Sequence, residues 1–216
     1  MGFNVRKFWK YILAVGLVAL LSVSTVWLAP KKQPHLVFIG DSLTFGLGVA
    51  PENSMPSLCD RALRGEGYSY QVVNAGISGS NIRSAVPRIR DWIHKLNSIE
   101  VFVIALGGMD SKRTDYKNIE MELAAAVQAA LENQSKVLLV AFHAPPEYLG
   151  HLHSERFARV YETVAKKYQV PLVPNQLAGI EGRPELYLAD GDHPNEHGLQ
   201  LMTGNIYPEL KKLLTR

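Results

Sequence analysis

Five apolar runs of strand length alternate with segments of helical periodicity from residue 35 to the C-terminus. Three of the runs are nearly continuous in Val, Ile, Leu and Phe, which is typical of strands buried on both faces. In such a chain each strand is followed by a helix that crosses back over the sheet. The pattern predicts an α/β fold of three layers, with a five-stranded parallel sheet between two layers of helices. The predicted strands are His35–Ile39, Tyr70–Val73, Val101–Leu106, Val137–Phe142 and Val170–Val173.

Helical periodicity is clearest in four segments, whose apolar residues recur at steps of three and four positions. These segments are residues 82–96, 119–131, 157–168 and 199–213. Pro87 lies inside the first of them. Because proline lacks an N–H group and its ring clashes inside a helix, Pro87 marks either the true start of that helix or a kink.

The N-terminal region contains 20 consecutive uncharged residues, 11–30, which are mostly apolar and long enough to cross a bilayer. Three basic residues precede this run and two follow it, which favours a cytoplasmic N-terminus. A cleaved signal peptide is the alternative, although a good A-x-A cleavage site is missing. We favour an uncleaved membrane anchor, and in both cases the rest of the chain is exported. The chain thus divides into a hydrophobic helix with its linker, residues 1–34, and a domain of residues 35–216.

The basic charge of the chain is concentrated in the same N-terminal region. The whole sequence carries 23 Lys and Arg against 20 Asp and Glu, but five of these basic residues lie in residues 1–32, which hold no acidic residue. The other 18 basic residues leave the remainder with a net charge of −2. A slightly acidic domain has no electrostatic basis for binding nucleic acid.

Polar residues with catalytic potential lie just after the first strand and near the C-terminus. Ser42 follows a buried strand and a glycine, at the edge of the sheet where ligands bind. A serine hydrolase needs a hydroxyl, an imidazole that deprotonates it and a carboxylate that orients the imidazole. Ser42, His193 and Asp190 provide this set, and Asp190 is near enough in sequence to His193 for one loop to hold both. Taken alone, Ser42 also fits a helix N-cap.

Three short blocks stand in a fixed order along the chain. G-D-S-L is Gly40–Leu43, a glycine-containing block is Asn74–Gly79, and D-x-x-H-P-N is Asp190–Asn195. In order and spacing these blocks resemble those of the SGNH (GDSL) hydrolase family of esterases, lipases and thioesterases. The chain is most similar to the small bacterial lysophospholipase and thioesterase type. The combination is specific, although G-D-S-L alone is a weak signal.

The resemblance implies a flavodoxin-like arrangement of the five parallel strands and hydrolysis of acyl esters of lipids or small molecules without a cofactor. It also implies a role for each matching residue. Ser42 is the nucleophile, His193 the base and Asp190 the carboxylate that orients it. The backbone N–H groups of Ser42 and Gly79 are donors to the oxyanion.

The third family block, G-G-N-D, departs from the pattern because Gly107–Asp110 reads G-G-M-D. The family's Asn side chain donates to the oxyanion, whereas the thioether of Met109 cannot donate. Losing one such donor lowers kcat by about 10²–10³-fold. Three outcomes are open: a slow enzyme, a substrate that needs less oxyanion stabilisation (a thioester or activated ester), or loss of activity. Asn81 or a water molecule is a candidate replacement donor.

Other residues that suggest chemistry have simpler explanations. His143, His151 and His153 are accompanied by neither an H-E-x-x-H motif nor a carboxylate cluster, so we predict no metal site. We expect these histidines to line the substrate entrance or to be solvated. Cys59 is the single cysteine of the chain, which excludes an intrachain disulfide, and it reads as a small core residue.

Three functions are compatible with these features. The first is an exported ester hydrolase that acts through an acyl-enzyme on esters or thioesters of lipids or small molecules. The second is a cell-envelope esterase or acyltransferase that modifies glycan O-acyl groups, which a membrane anchor would suit. The third is a member that has lost catalysis and keeps the fold for binding, supported only by Met109. The intact set of Ser42, Asp190 and His193 favours an enzyme.

Overall fold

The computed structural model describes residues 33–143 and 150–215. The N-terminal run for which an anchor or a signal peptide is predicted lies outside the described residues. Among the helices that are described, none combines the length and the apolar composition that a membrane span requires.

A five-stranded parallel sheet forms the centre of the described part of the chain. Its strands follow the order β2-β1-β3-β4-β5, so β1, β3 and β4 are flanked on both sides by other strands. This is the predicted α/β architecture with a flavodoxin-like strand order. The strands are β1 His35–Gly40, β2 Gln71–Gly76, β3 Ile99–Ala105, β4 Lys136–Val140 and β5 Leu172–Val173.

Helices cover both faces of this sheet. Along the chain, α3 contacts α4 and α4 contacts α5, whereas α2 contacts α6. These two groups form the outer layers predicted from the alternating pattern. The helices are α1 Ser42–Phe45, α2 Met55–Gly65, α3 Ala85–Lys95, α4 Tyr116–Glu132, α5 His151–Tyr168 and α6 Glu196–Lys212.

The core lies between the central strands and the helices that pack on them. Side chains from Leu36 to Ile39 in β1 and from Val101 to Ala105 in β3 have no exposed surface. This explains why these runs are continuously apolar rather than alternating. Cys59 in α2 belongs to the same core, as predicted, and burial raises the pKa of its thiol to about 12.

One strand boundary differs from the prediction, and one open alternative about a helix start is decided. Strand β2 continues past Val73 to Gly76, because Asn74, Ala75 and Gly76 pair in register with the last three residues of β1. The start of the second sequence block is therefore strand rather than loop. Pro87 lies in the first turn of α3, where backbone N–H groups have no helical acceptor, so it marks the start of the helix and not a kink.

Candidate active site

The side chains of Ser42, His193 and Asp190 form one hydrogen-bonded chain at the carboxyl edge of the sheet. Ser42 Oγ lies 2.9 Å from His193 Nε2. The other ring nitrogen, Nδ1, lies 2.9 Å from Asp190 Oδ2. Ser42 and His193 are 151 positions apart in the sequence, and the fold brings both together with Asp190. The resulting order of hydroxyl, imidazole and carboxylate is the one that nucleophilic catalysis requires.

Ser42 is the first residue of α1, and its neighbour Asp41 caps that helix. Asp41 Oδ1 accepts a hydrogen bond of 3.0 Å from the Leu43 N–H. The alternative role considered for Ser42, that of helix N-cap, therefore belongs to Asp41. As a result the Ser42 hydroxyl is available to His193.

The turn that presents Ser42 is tight and needs glycine at its start. A Cβ atom at Gly40 would overlap the Thr44 side chain and approach the Ala105 carbonyl oxygen to 2.9 Å. The close packing of β1 against its own following helix therefore accounts for the first residue of G-D-S-L.

The loop between residues 189 and 195 fixes the relation between His193 and Asp190. Asp190 Oδ1 accepts backbone hydrogen bonds of 3.0 Å from both Asp192 and His193. The backbone N–H and the ring of His193 stabilise the carboxylate, and together with the N–H of Asp192 they lower the pKa of Asp190 from 3.8 to about 2. The carboxylate is thus ionised at any pH near neutrality and faces a ring that becomes a cation when it takes a proton.

Asn195 anchors the end of this loop to two elements. Its side-chain oxygen accepts from the N–H groups of His197 and Gly198 and so caps α6. Its amide nitrogen donates to the carbonyl oxygens of Glu185 at 2.8 Å and Tyr187 at 3.3 Å. The last residue of D-x-x-H-P-N is therefore a structural brace for the loop that carries Asp190 and His193.

Replacing Asn195 with alanine should lower the free energy of unfolding by about 2–3 kcal/mol, because it removes a helix cap and two donors at once. The matched variant Asn195→Ser keeps a capping oxygen but has no amide donor, and we expect it to recover about 1 kcal/mol. Urea denaturation followed by circular dichroism measures both. Equal stability of the alanine variant and the wild type would contradict the bracing role.

A cleft of about 330 Å³ opens beside Ser42 and His193. Met109 lines it, with 60% of its surface exposed, and Phe142 contributes a second apolar wall. The charged side chains on the lining are those of Lys112, Asp41 and Asp192. The cleft therefore has both apolar and charged walls. It is large enough to hold a small acyl ester beside Ser42.

The predicted oxyanion donors occupy two neighbouring strand ends. Ser42 follows β1, and Gly79 lies in the turn after β2 with a φ of +78°, a conformation that favours glycine. Gly79 is not among the described residues that line the cleft. The side-chain oxygen of Asn81 accepts from the Ser84 N–H at 3.2 Å, which ties this candidate replacement donor to the following turn.

Two buried carboxylates support the site and were not singled out from the sequence. Asp41 accepts from the Gly108 N–H at 3.3 Å and so links the Ser42 turn to the third block. Asp110 accepts from the Ile82 N–H at 2.8 Å. Each of the two sequence blocks contains an aspartate, and this was the only hint of a supporting role in the sequence. The backbone group that each aspartate binds is evident only from the folded structure.

Ionisation of Asp41 should make stability pH-dependent. Burial is the main cause that raises its pKa from 3.8 to about 6. The folded chain thus holds this proton more tightly than the unfolded chain, and ionisation destabilises the fold as pH rises from about 4 to 6, by about 3 kcal/mol in all. The free energy of unfolding of the wild type should fall across this interval relative to that of Asp41→Asn, which does not titrate there. Urea denaturation from pH 4 to 7 tests this, and parallel curves would contradict it.

Two of the three histidines considered as metal ligands, His143 and His153, make hydrogen bonds within the fold. His153 is buried, which corrects the expectation of an entrance or solvated position, and its ring lies 2.7 Å from the Tyr116 hydroxyl and 2.6 Å from the Ser111 carbonyl oxygen. His143 lies 3.2 Å from Glu181. Within residues 33–143 and 150–215, no group of three His, Cys, Asp or Glu side chains is placed to hold a metal ion.

Comparison with known proteins shows which enzymes this chain is similar to. The GDSL-like Lipase/Acylhydrolase family model matches residues 38–201. The chain is 36% identical over 180 residues to Esterase TesA of Pseudomonas aeruginosa, covering 83% of this chain and 89% of that protein. It is 26% identical over 180 residues to Thioesterase 1/protease 1/lysophospholipase L1 of Escherichia coli K12, covering 83% and 84%.

Solved structures give the same result for the fold. The crystal structure of TesA superposes with a TM-score of 0.79 at 35% identity and covers 83% of this chain and 99% of that one. AlinE4, an esterase of the SGNH-hydrolase family, superposes with a TM-score of 0.69 at 27% identity and covers 86% and 98%.

Proposed function

This chain belongs to the GDSL-like lipase/acylhydrolase family, and we propose that Ser42, His193 and Asp190 are the catalytic residues of a carboxylic ester hydrolase. The observation that carries the assignment is the continuous chain of two 2.9 Å contacts from Ser42 through His193 to Asp190. Ser42 and His193 line a cleft at the carboxyl edge of a parallel sheet, where such folds bind ligands.

The reaction proceeds through an acyl-enzyme. Ser42 Oγ attacks the carbonyl carbon of the ester while its proton passes to His193 Nε2. The tetrahedral intermediate collapses, its bond to the leaving alcohol or thiol breaks, and His193 gives that group the proton. Water then attacks the acyl-enzyme with His193 again accepting a proton, and the acid leaves as Ser42 recovers its hydrogen.

Asp190 serves this cycle as a fixed negative charge. It accepts from His193 Nδ1, which holds the imidazole with Nε2 toward Ser42. Its pKa of about 2 keeps it ionised while the ring is a cation. The carboxylate therefore stabilises the imidazolium without taking its proton.

The oxyanion of the intermediate is held by the backbone N–H groups of Ser42 and Gly79. By the resemblance of Gly107–Asp110 to the family block G-G-N-D, Met109 takes the place of a donating Asn, and its thioether adds no hydrogen bond. The missing donor corresponds to about 2.7–4 kcal/mol of transition-state stabilisation. The enzyme is therefore slow on unactivated esters, and thioesters and activated esters are its better substrates.

Fluorophosphonate labelling tests the proposed function. The purified chain should form a covalent adduct at Ser42, located by mass spectrometry of the tryptic peptide. Turnover should then be measured on a p-nitrophenyl ester, an acyl-coenzyme A thioester, a lysophospholipid and an O-acetylated sugar. Preference for the sugar would replace the proposed substrates with glycan O-acyl groups, and absence of both adduct and turnover would refute hydrolysis.

Residues 11–30 tether the enzyme to a membrane, with residues 1–34 as anchor and linker and residues 35–216 as the exported hydrolase domain. The support is the length of the uncharged run and the basic residues on either side of it. The full chain should sediment with membranes and be released by protease added to the exported side. Recovery of a shortened chain in the soluble exported fraction would show cleavage of a signal peptide.

A further inference from the structure

Arg88 is a half-buried residue of α3 whose side chain contacts the carboxyl ends of β1 and β2. Its Nη2 atom donates to the carbonyl oxygen of Gly40 at 3.0 Å and also to that of Ala75. Its Nη1 atom lies 3.5 Å from Ser84 Oγ. One guanidinium group thus joins the ends of two adjacent strands.

Those two carbonyl groups lie at the ends of β1 and β2, just before the two segments that carry the proposed oxyanion donors. Gly40 pairs with Gly76 and Ile39 pairs with Ala75, the last two register positions shared by β1 and β2. Ser42 follows two residues beyond Gly40, and the turn that carries Gly79 begins directly after β2. The distance between the two backbone donors therefore depends on the strand ends to which Arg88 donates.

A planar guanidinium suits this task better than other side chains. Its N–H groups point in fixed directions, so Nη2 can donate to acceptors on two different strands while Nη1 faces Ser84, whereas an ammonium acts as a point donor. The Gly40 carbonyl oxygen also accepts from the Ile77 N–H at 3.1 Å. The strand ends are thus bound both by backbone pairing and by Arg88.

We propose that Arg88 is a positioning residue that fixes the spacing between the Ser42 and Gly79 N–H groups. This inference rests on the proposed function, because it takes these two groups as the oxyanion donors. With Met109 in place of a donating side chain, the oxyanion depends on two backbone segments alone. Their alignment therefore limits the rate more strongly than it would in a site with three donors.

Steady-state kinetics of Arg88→Met, Arg88→Lys and the control Arg90→Met test the proposal. Arg90 is an exposed residue of the same helix. We expect Arg88→Met to lower kcat by about 10–100-fold with KM changed less than twofold, since misplacement of about 1 Å can cost 10²-fold. Arg88→Lys should recover part of kcat, and Arg90→Met should match the wild type. An unchanged kcat in folded Arg88→Met would overturn the proposal.

A double-mutant cycle with Met109→Asn separates positioning from general loss of structure. If a third donor relieves the dependence on the backbone pair, Arg88→Met should lower kcat less in the Met109→Asn background than in the wild type. A purely structural role of Arg88 predicts the same fold-loss in both backgrounds. Thermal unfolding of each variant confirms that the kinetics describe folded protein.

Hydrogen exchange provides a readout that does not depend on turnover. Peptides covering residues 40–46 and 75–81 should exchange faster in Arg88→Met than in the wild type or in Arg90→Met, with the other strands unchanged. Unchanged exchange in both peptides would overturn the positioning role. If the wild type neither hydrolyses esters nor reacts with a fluorophosphonate, the proposed function fails, whereas the exchange data still decide whether Arg88 holds the strand ends.

Discussion

Replacing Ser42 with alanine will abolish ester hydrolysis, lowering kcat on the order of 10⁴–10⁶-fold, because it removes the hydroxyl that lies in contact with His193 and forms the acyl-enzyme. The structure gives the physical reason, since Ser42 Oγ is the atom that lies 2.9 Å from His193 Nε2. Stability should change little, because Asp41 and not Ser42 caps the helix. The measurement is initial rates on a p-nitrophenyl ester together with fluorophosphonate labelling of the same samples.

Ser98→Ala is a suitable control for this experiment, because Ser98 is exposed and precedes β3 at the opposite edge of the sheet. It should retain wild-type turnover and labelling. Residual turnover of Ser42→Ala within tenfold of the wild type would assign the nucleophile elsewhere and would refute the acyl-enzyme mechanism. Retention of the adduct at another serine would identify the true nucleophile directly.

The strands and the pairing of Asp190 with His193 were predictable because their signals are local, whereas Ser42 was joined to that pair through the order of the family's sequence blocks. A continuous apolar run needs burial on both faces, which places it in the centre of a parallel sheet. The short separation of Asp190 and His193 lets one loop hold both side chains, as the 2.9 Å contact confirms. Such features depend on neighbouring residues in the chain, so the sequence alone indicates them.

The supporting groups were not predictable because their partners are distant in sequence. Arg88 reads as one more charged residue of an amphipathic helix until the fold places it under the carbonyls of Gly40 and Ala75. His153 likewise reads as a solvated histidine until α5 buries it against Tyr116. Buried polar side chains must find hydrogen-bond partners, but sequence does not state which partners the packed layers will bring near.

The extent of β2 shows a related effect. Asn74 and Gly76 have low strand propensity and look like loop residues, yet both pair with β1. Gly76 is required there because a Cβ atom would clash with the backbone of Phe45 in α1. The strand thus extends up to the helix that carries Ser42, and tertiary packing overrides local preference at the site itself.

Replacing Met109 with asparagine should raise kcat by up to about 10²–10³-fold on unactivated alkyl esters, because it restores a side-chain donor to the oxyanion. KM should change little, since the donor acts mainly in the transition state. With 60% of its surface exposed, Met109 contributes little packing, so the substitution should leave the free energy of unfolding nearly unchanged. Stopped assays on a matched series of alkyl, p-nitrophenyl and thioester substrates measure the effect.

Met109→Leu is the matched control, because leucine is of similar volume and also lacks a donor. It should keep wild-type rates on all three substrates. A gain for Met109→Asn on every substrate identifies the natural enzyme as a slow esterase, whereas a gain confined to alkyl esters identifies it as an enzyme adapted to better leaving groups. If neither variant differs from the wild type, the oxyanion does not reach position 109, and the two backbone donors held together by Arg88 are sufficient for catalysis.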